Sequence, residues 1–489
     1  MMCSPRSLLW GSATIIASAA LASPSVVSAF QLPALSHNNI LRRPATIIIR
    51  STSFSSSKLS AYVNVDEKCP RDVRTMEEWA AACGVQRSEG FQLMTTTDSG
   101  GGQQPDVSVM TNANVPANSP LLFVPNEMIL TGTKSYQELS NDPTIVRAAE
   151  QIAASAASAP PTIDGHNDVV SFYLFLKILK EYELGEASPW YPWLNSLPRY
   201  YCNGASMTDF CFGCLPPYAA QQALNEKQRL KRFQLALNDV SIISENIKRN
   251  LDITKWAYNV VHTRIQKFGD DDYCLVPLAD YFNHGGAAET VEAYMSFDEN
   301  GNCCMYSTRD VPAGRPLNIC YGDPTNPSKM LAKYGFLDES SPGTFCKIIP
   351  DDGETSPEMI NLGYPSRTLF YNDGSISSEV WDMVLYQELG KKVGQNEQKA
   401  FYQAHISGDD ATKQSYFQHE PFAQMARYAI VQHVAYILNE LDELEVGLET
   451  QMTMGQDAKR HPRLPLLMRH NEFVKNIFER LQQNLNQTY

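Results

Sequence analysis

The sequence is short of cationic side chains. Among 489 residues, 40 Lys and Arg stand against 54 Asp and Glu, which gives a formal net charge of −14. Because binding to a phosphate backbone needs a basic surface, nucleic acid is not expected as a partner.

Cysteine is sparse as well. Eleven residues, an odd number in so long a chain, argue against a disulfide framework and favour reduced thiols.

Asp and Glu are absent from residues 1–65, which contain four Arg and one Lys. An apolar run from Leu8 to Ala22 is too short and too rich in Ser and Ala to span a bilayer, so no membrane span is expected in the mature chain. Val27-Ser28-Ala29 then supplies the small residues of a signal-peptidase site. The Ser-rich, Arg-containing stretch that follows is typical of a transit peptide.

Two such signals in series resemble the bipartite plastid presequence of algae, in which an aromatic residue follows the first cleavage site, as Phe30 does here. We therefore expect a presequence over residues 1–65, with a signal peptide at about 1–29 and a transit peptide at about 30–65. The mature protein is then expected in the plastid stroma. Secretion is the alternative, but it leaves the acid-free residues 30–65 and the unpaired thiols unexplained.

The rest of the chain divides into a mixed part and a helical part. Gly90–Met94 and Val107–Val124 read as β-type runs around a Gly-rich loop, and short strands return between Leu275 and Ile319. Between them, Val169–Leu184 and residues 219–265 read as helical.

After Cys346 the pattern changes: apolar residues follow helical spacing over Phe422–Leu441, and Leu464–Leu481 is a second amphipathic stretch. The pattern predicts an α+β domain over residues 70–340, with a helical insert at about 165–260. A helical domain is predicted over 345–489.

Three local motifs hold the candidate chemistry. They are Pro277–His284, which ends in Asp280-Tyr-Phe-Asn283-His284; Asn318–Gly322, which contains Tyr321; and Asn326–Phe336, a helix-like segment that closes on Tyr334. Taken singly, each has a structural explanation, such as a turn or a packed strand end. Asp280 and His284 have the i, i+4 spacing of a metal-binding pair, but no third ligand is nearby, so no metal is expected.

Together, in this order and spacing, the motifs resemble the SET domain of the Rubisco large-subunit lysine methyltransferase-like family. In that family a pseudoknot draws the Asn-His and Tyr-Gly segments together. Trp256–Arg264 and Ser188–Pro198 are similar to further parts of the family pattern. The resemblance implies an α+β fold, a SET-domain β-fold with a pseudoknot and a helical insert, followed by an all-α substrate-binding domain.

The resemblance also implies a cofactor, S-adenosylmethionine (AdoMet), and the roles of individual residues. These are Tyr321 as the catalytic residue; Asn283, His284, Arg264, Val107 and Ser108 as cofactor-binding residues; and Asp280, Tyr334 and Arg264 as substrate-binding residues. Such residue types suit transfer of a methyl group from a sulfonium cation to a neutral amine. A tyrosine hydroxyl can orient the amine lone pair, and aromatic faces suit a methylammonium.

The sequence departs from the family pattern in the cofactor half. Asp106 and Ser108 stand where the family has the two glycines of Gly-x-Gly, and side chains there are expected either to narrow the pocket or to strain the turn. Gly285 stands where a serine usually follows Asn-His. A further motif, Cys211-Phe-Gly-Cys214, has redox or zinc spacing, but it lacks a second pair and a βαβ context, so structural cysteines are expected.

The sequence thus predicts an AdoMet-dependent protein N-methyltransferase that acts on a lysine of a folded plastid protein, with the Rubisco large subunit or aldolase as candidates. One alternative is a catalytically impaired SET-fold module that only binds protein. The other is a methyltransferase with a non-lysine acceptor such as histidine. The acceptor site, the number of methyl groups added and the oligomeric state stay open.

Overall fold

The computed structural model describes residues 61–96, 106–157, 168–322, 325–348 and 356–487. The predicted presequence, apart from residues 61–65, and the Gly-rich loop at 97–105 lie outside the described residues. The strands are β1 (Gln86–Arg87), β2 (Phe91–Thr96), β3 (Asp106–Thr111), β4 (Pro120–Val124), β5 (Leu130–Thr131), β6 (Gln266–Phe268), β7 (Asp272–Leu275), β8 (Asn283–His284), β9 (Ala293–Phe297), β10 (Cys303–Ser307), β11 (Asn318–Ile319), β12 (Gly343–Phe345) and β13 (Leu369–Tyr371).

Helices account for most of the regular structure. They are α1 (Val73–Ala82), α2 (Gly132–Leu139), α3 (Pro143–Ala157), α4 (Asp168–Leu184), α5 (Tyr191–Ser196), α6 (Asp209–Phe212), α7 (Pro217–Leu237), α8 (Glu245–Arg249), α9 (Leu251–Arg264), α10 (Pro327–Tyr334), α11 (Pro357–Asn361), α12 (Ser378–Lys392), α13 (Gln395–Ser407), α14 (Asp410–Gln418), α15 (Glu420–Thr453) and α16 (Leu464–Gln487). Among the described helices, none is both long enough and apolar enough to cross a membrane.

Several small sheets form the β part of the fold. One has the strand order β1-β4-β10-β9, a second has the order β5-β7-β6, and β2 pairs with β3 as a hairpin. The short strands β8 and β11 pair in parallel, with Asn318 opposite Asn283 and Ile319 opposite His284. This pair brings the Asn-His motif beside the strand that leads to Tyr321, so the expected adjacency of the two segments is confirmed.

The helical insert lies between β5 and β6 and forms much of the main core. Helix α4 is apolar nearly all round, and Phe172, Phe175 and Leu179 on it are fully buried. The stretch 219–265, predicted as helical, divides into α7, α8 and α9, because turns interrupt it after Leu237 and at Asn250. Trp256 on α9 donates through Nε1 to the carbonyl of Pro198 at 3.0 Å.

Two predicted elements differ in the structure. The β-type run Val107–Val124 forms two strands, β3 and β4, with a turn between them, where Asn118 adopts a φ of +59°. The C-terminal region is helical, as expected, apart from the antiparallel pair of β12 and β13. Its core surrounds α12, α15 and α16.

Contacts cross the predicted domain boundary near residue 340. Leu59–Tyr489 forms one compact unit, and Tyr218 of the insert packs into the core of the helical C-terminal region. Arg463, which precedes α16, donates through Nε to the carbonyl of Tyr201 at 2.8 Å and through Nη2 to Oε1 of Glu67 at 2.8 Å. The C-terminal region is therefore bonded directly to the segment that contains Tyr201.

Residues 61–72 also pack on the fold. Val63 is buried in the main core, and the carbonyl of Asn64 accepts a hydrogen bond from Nε of Arg199 at 2.8 Å. Val63 lies within the predicted presequence of residues 1–65, but its side chain is part of the folded core.

Candidate active site

A cavity of about 480 Å³ lies where the predicted site residues meet. Its walls come from the N-terminal segment, the start of β3, the loop before α6, the end of α9, the Asn-His segment and the end of α10. The lining residues are Arg71, Asp106, Val107, Pro198, Tyr200, Tyr201, Cys202, Thr263, Arg264, Asp280, Tyr281, Asn283, His284, Tyr321, Tyr334, Gly335, Phe336, Leu337 and Arg469.

Of the predicted site residues, all but Ser108 line this cavity. Ser108 is buried within β3, where it pairs with Met94 of β2. Val107, one residue nearer the start of the strand, does reach the cavity. The roles assigned to these residues remain predictions, whereas their common location is a property of the fold.

His284 and Tyr321 are joined by a hydrogen bond from the backbone N–H of Tyr321 to Nδ1 of His284, at 3.1 Å. Because Nδ1 accepts, the ring proton of a neutral His284 is on Nε2, which faces Oδ2 of Asp338 at 3.6 Å. Burial lowers the pKa of His284, against an opposing effect of the Asp338 carboxylate. The imidazole is therefore neutral near pH 7.

The Tyr321 hydroxyl is held by a hydrogen bond in the cavity wall. It donates to the carbonyl of Phe282 at 2.5 Å, which leaves the lone pairs of the phenol oxygen to accept a hydrogen bond. Burial raises the pKa of Tyr321 well above its usual value, against the positive charge of Arg264. The group is thus a neutral phenol.

Aromatic rings surround the Tyr321 side chain. The ring centroids of Tyr321 and Tyr334 are 5.0 Å apart, and Phe336 lies 6.0 Å from Tyr334 and 5.5 Å from His284. Helix α10 positions these rings. The Asn326 side chain caps its first turn, and Gly335 ends it in the left-handed conformation at a φ of +84°. A Cβ at Gly335 would lie 2.6 Å from the backbone nitrogen of Asn203, so glycine is required there.

Arg264 and Asp280 form a buried pair beneath the aromatic wall. Nη1 of Arg264 donates to the Asp280 carbonyl at 2.7 Å and lies 3.7 Å from Oδ2, which accepts from Nε1 of Trp193 at 3.1 Å. Burial raises the pKa of Asp280, with Arg264 and Trp193 acting against the rise. Burial alone would lower the pKa of Arg264, but Asp280 and the nearby tyrosines raise it.

Asp106, which replaces a family glycine, reaches the cavity with its carboxylate. Oδ2 accepts from Nδ2 of Asn283 at 3.1 Å, and Oδ1 lies 3.6 Å from Nη1 of Arg71. The strand β3 nevertheless pairs with β2 in regular register, with Asp106 opposite Thr96. The missing glycines therefore leave the strand intact and place a charged side chain in the cavity.

Gly285, the second departure, is enforced by the backbone around it. A Cβ at this position would lie 2.1 Å from the carbonyl oxygen of Thr290, and one at Gly286 would lie 1.6 Å from Oδ2 of Asp338. A serine after Asn-His therefore does not fit this chain unless the segment near Thr290 moves.

Some polar atoms of the cavity residues lack a hydrogen-bond partner. Within the described residues these are Nε of Arg264, Oδ1 of Asp280 and Nε2 of His284, and the same holds for Oδ2 of Asp338, which faces His284. Buried polar atoms normally have partners, so the unsatisfied atoms of the lining residues suit a site for a polar ligand. Together with the neutral phenol and the aromatic rings, they fit a ligand that is in part charged and in part an aromatic heterocycle.

Sequence reasoning missed several lining residues that come from distant segments. Tyr200 and Tyr201 follow the Ser188–Pro198 motif, Arg71 precedes α1, and Arg469 lies on α16. No local spacing marks them. The two buried cysteines of the Cys211-Phe-Gly-Cys214 motif are free thiols in a separate core cluster that also includes Cys202.

No family model matches the chain. Two curated proteins are similar in sequence. Ribosomal lysine N-methyltransferase set11 of Schizosaccharomyces pombe is 25% identical over 165 residues, 32% of this chain and 40% of that protein. Protein SET DOMAIN GROUP 40 of Arabidopsis thaliana is 24% identical over 265 residues, 47% of this chain and 52% of that protein. The chain thus spans about half or less of the curated relatives that it matches.

Solved structures of Rubisco LSMT share the fold over most of both chains. The structure bound to AdoMet has a TM-score of 0.53 at 15% identity and covers 86% of this chain and 92% of that one. The SET-domain structure bound to lysine and AdoHcy has a TM-score of 0.53 at 14% identity, with 85% and 91% covered. The chain therefore has the SET-domain fold of Rubisco LSMT.

Proposed function

We propose that this protein is an AdoMet-dependent protein-lysine N-methyltransferase that acts on a folded protein of the plastid. The observation that supports this most directly is the meeting of Asn283, His284 and Tyr321 in one cavity, through the parallel pair of β8 and β11. The sequence likeness to a ribosomal lysine N-methyltransferase supports lysine as the acceptor. The acid-free N-terminal 65 residues support the plastid.

The cavity residues would hold AdoMet in the part nearest the Asn-His segment. Asn283, His284 and Arg264 offer amide, imidazole and guanidinium groups there, and Val107 adds an apolar contact. When bound, AdoMet supplies a methyl group on a cationic sulfur. The aromatic wall of Tyr321, Tyr334 and Phe336 tolerates positive charge, because the faces of aromatic rings attract cations.

The acceptor amine must arrive uncharged. A lysine with an ordinary pKa of about 10.4 costs roughly 4–5 kcal/mol to deprotonate at pH 7. Desolvation between Tyr321 and Tyr334 lowers that cost, because burial disfavours the ammonium form. The Asp280 side chain is only 1% exposed and lies beside Arg264, so we do not assign it as the base. We assign removal of the ammonium proton to solvent, before the amine enters the cavity.

Tyr321 orients the amine during transfer. Its hydroxyl hydrogen is bonded to the Phe282 carbonyl, so the oxygen accepts an N–H of the amine and turns the nitrogen lone pair toward the donor. Because burial keeps Tyr321 protonated, no phenolate competes with the amine as a nucleophile. Positioning of this kind supplies most of the rate acceleration in an in-line displacement.

The test is methylation of a plastid extract. The purified protein is incubated with stromal extract and AdoMet labelled in the methyl group, and labelled peptides are identified by mass spectrometry. A single protein labelled on lysine is expected, with the Rubisco large subunit and aldolase as the first candidates. Label on histidine would mean that the acceptor is histidine and that the reaction is still methyl transfer from AdoMet. Absence of label, together with absence of AdoMet binding by calorimetry, would favour a protein-binding module instead.

A further inference from the structure

Asp106 introduces a charge that a glycine at the same position would not. It is the first residue of β3, and its side chain is 38% exposed. The other carboxylate of the cavity wall, Asp280, is only 1% exposed and is held by Trp193 and Arg264. Of the two carboxylates that line the cavity, Asp106 is thus the one that a ligand can reach.

The contacts of Asp106 fix the direction of its carboxylate. Oδ1 accepts from the backbone N–H of Val107 at 2.9 Å, and Oδ2 accepts from Nδ2 of Asn283 at 3.1 Å. Nη1 of Arg71 lies 3.6 Å from Oδ1, beyond hydrogen-bonding distance. Arg71 is itself fixed, because its Nε donates to the carbonyl of Ser196 at 2.7 Å.

An open ion pair of this kind suits a zwitterion. Asp106 presents a negative charge and Arg71 a positive charge in the same wall, without a direct hydrogen bond between them. The amino-acid end of AdoMet has an ammonium and a carboxylate on one carbon atom. Charge-assisted hydrogen bonds to such groups are roughly twice as strong as neutral ones.

We propose, on the basis of the proposed function, that the Asp106 carboxylate binds the α-ammonium group of AdoMet and of its product AdoHcy. Asp106 is then a specificity-determining residue of the cofactor site. The backbone N–H of Val107 and Nδ2 of Asn283 hold the carboxylate in place. The side chain at this position replaces the close backbone approach that a glycine permits.

The test compares three ligands by calorimetry on the whole protein and on Asp106→Asn. The substitution keeps the shape and an acceptor oxygen but removes the charge. We expect the Kd values of AdoMet and AdoHcy to rise by the same factor, about tenfold or more. The Kd of 5′-methylthioadenosine, which lacks the amino-acid end, should stay within about twofold. Asp270→Asn, at an exposed loop position, is the charge-matched control.

Each other outcome overturns the proposal. Unchanged or tighter binding of AdoMet by Asp106→Asn would make Asp106 a bystander or an obstruction. If the Kd of AdoMet rises and that of AdoHcy does not, the Asp106 carboxylate interacts with the sulfonium and not with the α-ammonium group. Equal loss for all three ligands would show a merely structural role. If the unsubstituted protein binds neither AdoMet nor AdoHcy, the proposed function fails as well, which separates that failure from the other three.

Discussion

The backbone N–H of Tyr321 donates to Nδ1 of His284 across 3.1 Å, although 36 residues separate them in the chain. The bond fixes the imidazole tautomer, and the parallel pairing of β8 with β11 fixes the distance between the two motifs. The Asn-His segment and the segment that contains Tyr321 are thereby joined through one short element. A substitution at either residue therefore affects a shared local structure.

Tyr321→Phe tests the chemical step. Removal of the hydroxyl deletes the oxygen that we propose orients the amine, whereas the ring and its contacts with Tyr334 remain. We expect methylation of the plastid extract to fall at least about tenfold, with little change in the Kd of AdoMet, since the lost interaction acts in the transition state. Tyr436→Phe, at an exposed position of α15, is the control. Unchanged turnover would exclude Tyr321 from the mechanism.

Gly285→Ser tests the steric requirement in the Asn-His loop. The new Cβ would meet the Thr290 carbonyl at 2.1 Å, so the loop must move and the variant should lose about 1–3 kcal/mol of stability. The measurement is urea unfolding. The matched control is Gly447→Ser, where nothing lies within 4 Å of an added Cβ. Equal stability of the two variants would show that the Asn-His loop accepts serine freely.

Arg463→Ala tests the link between the C-terminal region and the cavity wall. The substitution leaves the Tyr201 carbonyl and the Glu67 carboxylate without their donor, and the Tyr200 ring loses the guanidinium that lies 4.6 Å from its centroid. We expect a loss of about 1–3 kcal/mol in stability and weaker AdoMet binding, because Tyr200 and Tyr201 line the cavity.

The neighbouring Arg460, which is exposed, provides the control for this prediction. Arg460→Ala should change neither property. If Arg463→Ala is as stable as the unsubstituted protein and binds AdoMet equally well, the positions of Tyr200 and Tyr201 in the cavity wall do not depend on the C-terminal region.

The sequence predicted those parts of the site that depend on local order. Asn283, His284, Tyr321 and Tyr334 lie in compact motifs, and all four line the cavity. Arg71 was not predictable, because it reaches the site from the N-terminal segment and no spacing connects it with the motifs.

The two positions at which the family has glycine show a second feature of the site that the sequence could not predict. The sequence treats Asp106 and Ser108 alike, as side chains that narrow the pocket. In the structure Ser108 is buried in the hairpin, whereas Asp106 lines the cavity. Residues i and i+2 of a strand lie on the same face, so the difference comes from their place along β3. Asp106 begins the strand, whereas Ser108 lies further along it, opposite Met94 of β2.

A buried polar cluster joins α10 to the C-terminal region. Lys347 is fully buried, donates to Oγ of Ser328 and lies 4.9 Å from the centroid of the Tyr218 ring. Nε2 of His470 is 2.9 Å from the same Ser328 oxygen. Burial lowers the pKa of Lys347 to about 7, opposed by the neighbouring Cys346 thiol, and lowers that of His470 to about 3.

Lys347→Met should therefore stabilise the protein near neutral pH. The unfolded chain binds a proton on Lys347 up to a pH of about 10.4, whereas the folded chain releases it near pH 7, so the free energy of unfolding rises with pH across this window. Lys347→Met has no titratable group at this position, so this contribution to the pH dependence of its stability is absent. Its advantage in urea unfolding should be largest at pH 7 and should shrink toward pH 10, while exposed Lys459→Met shows no such trend. A difference between Lys347→Met and the unsubstituted protein that is constant with pH would mean that Lys347 stays charged in the folded state.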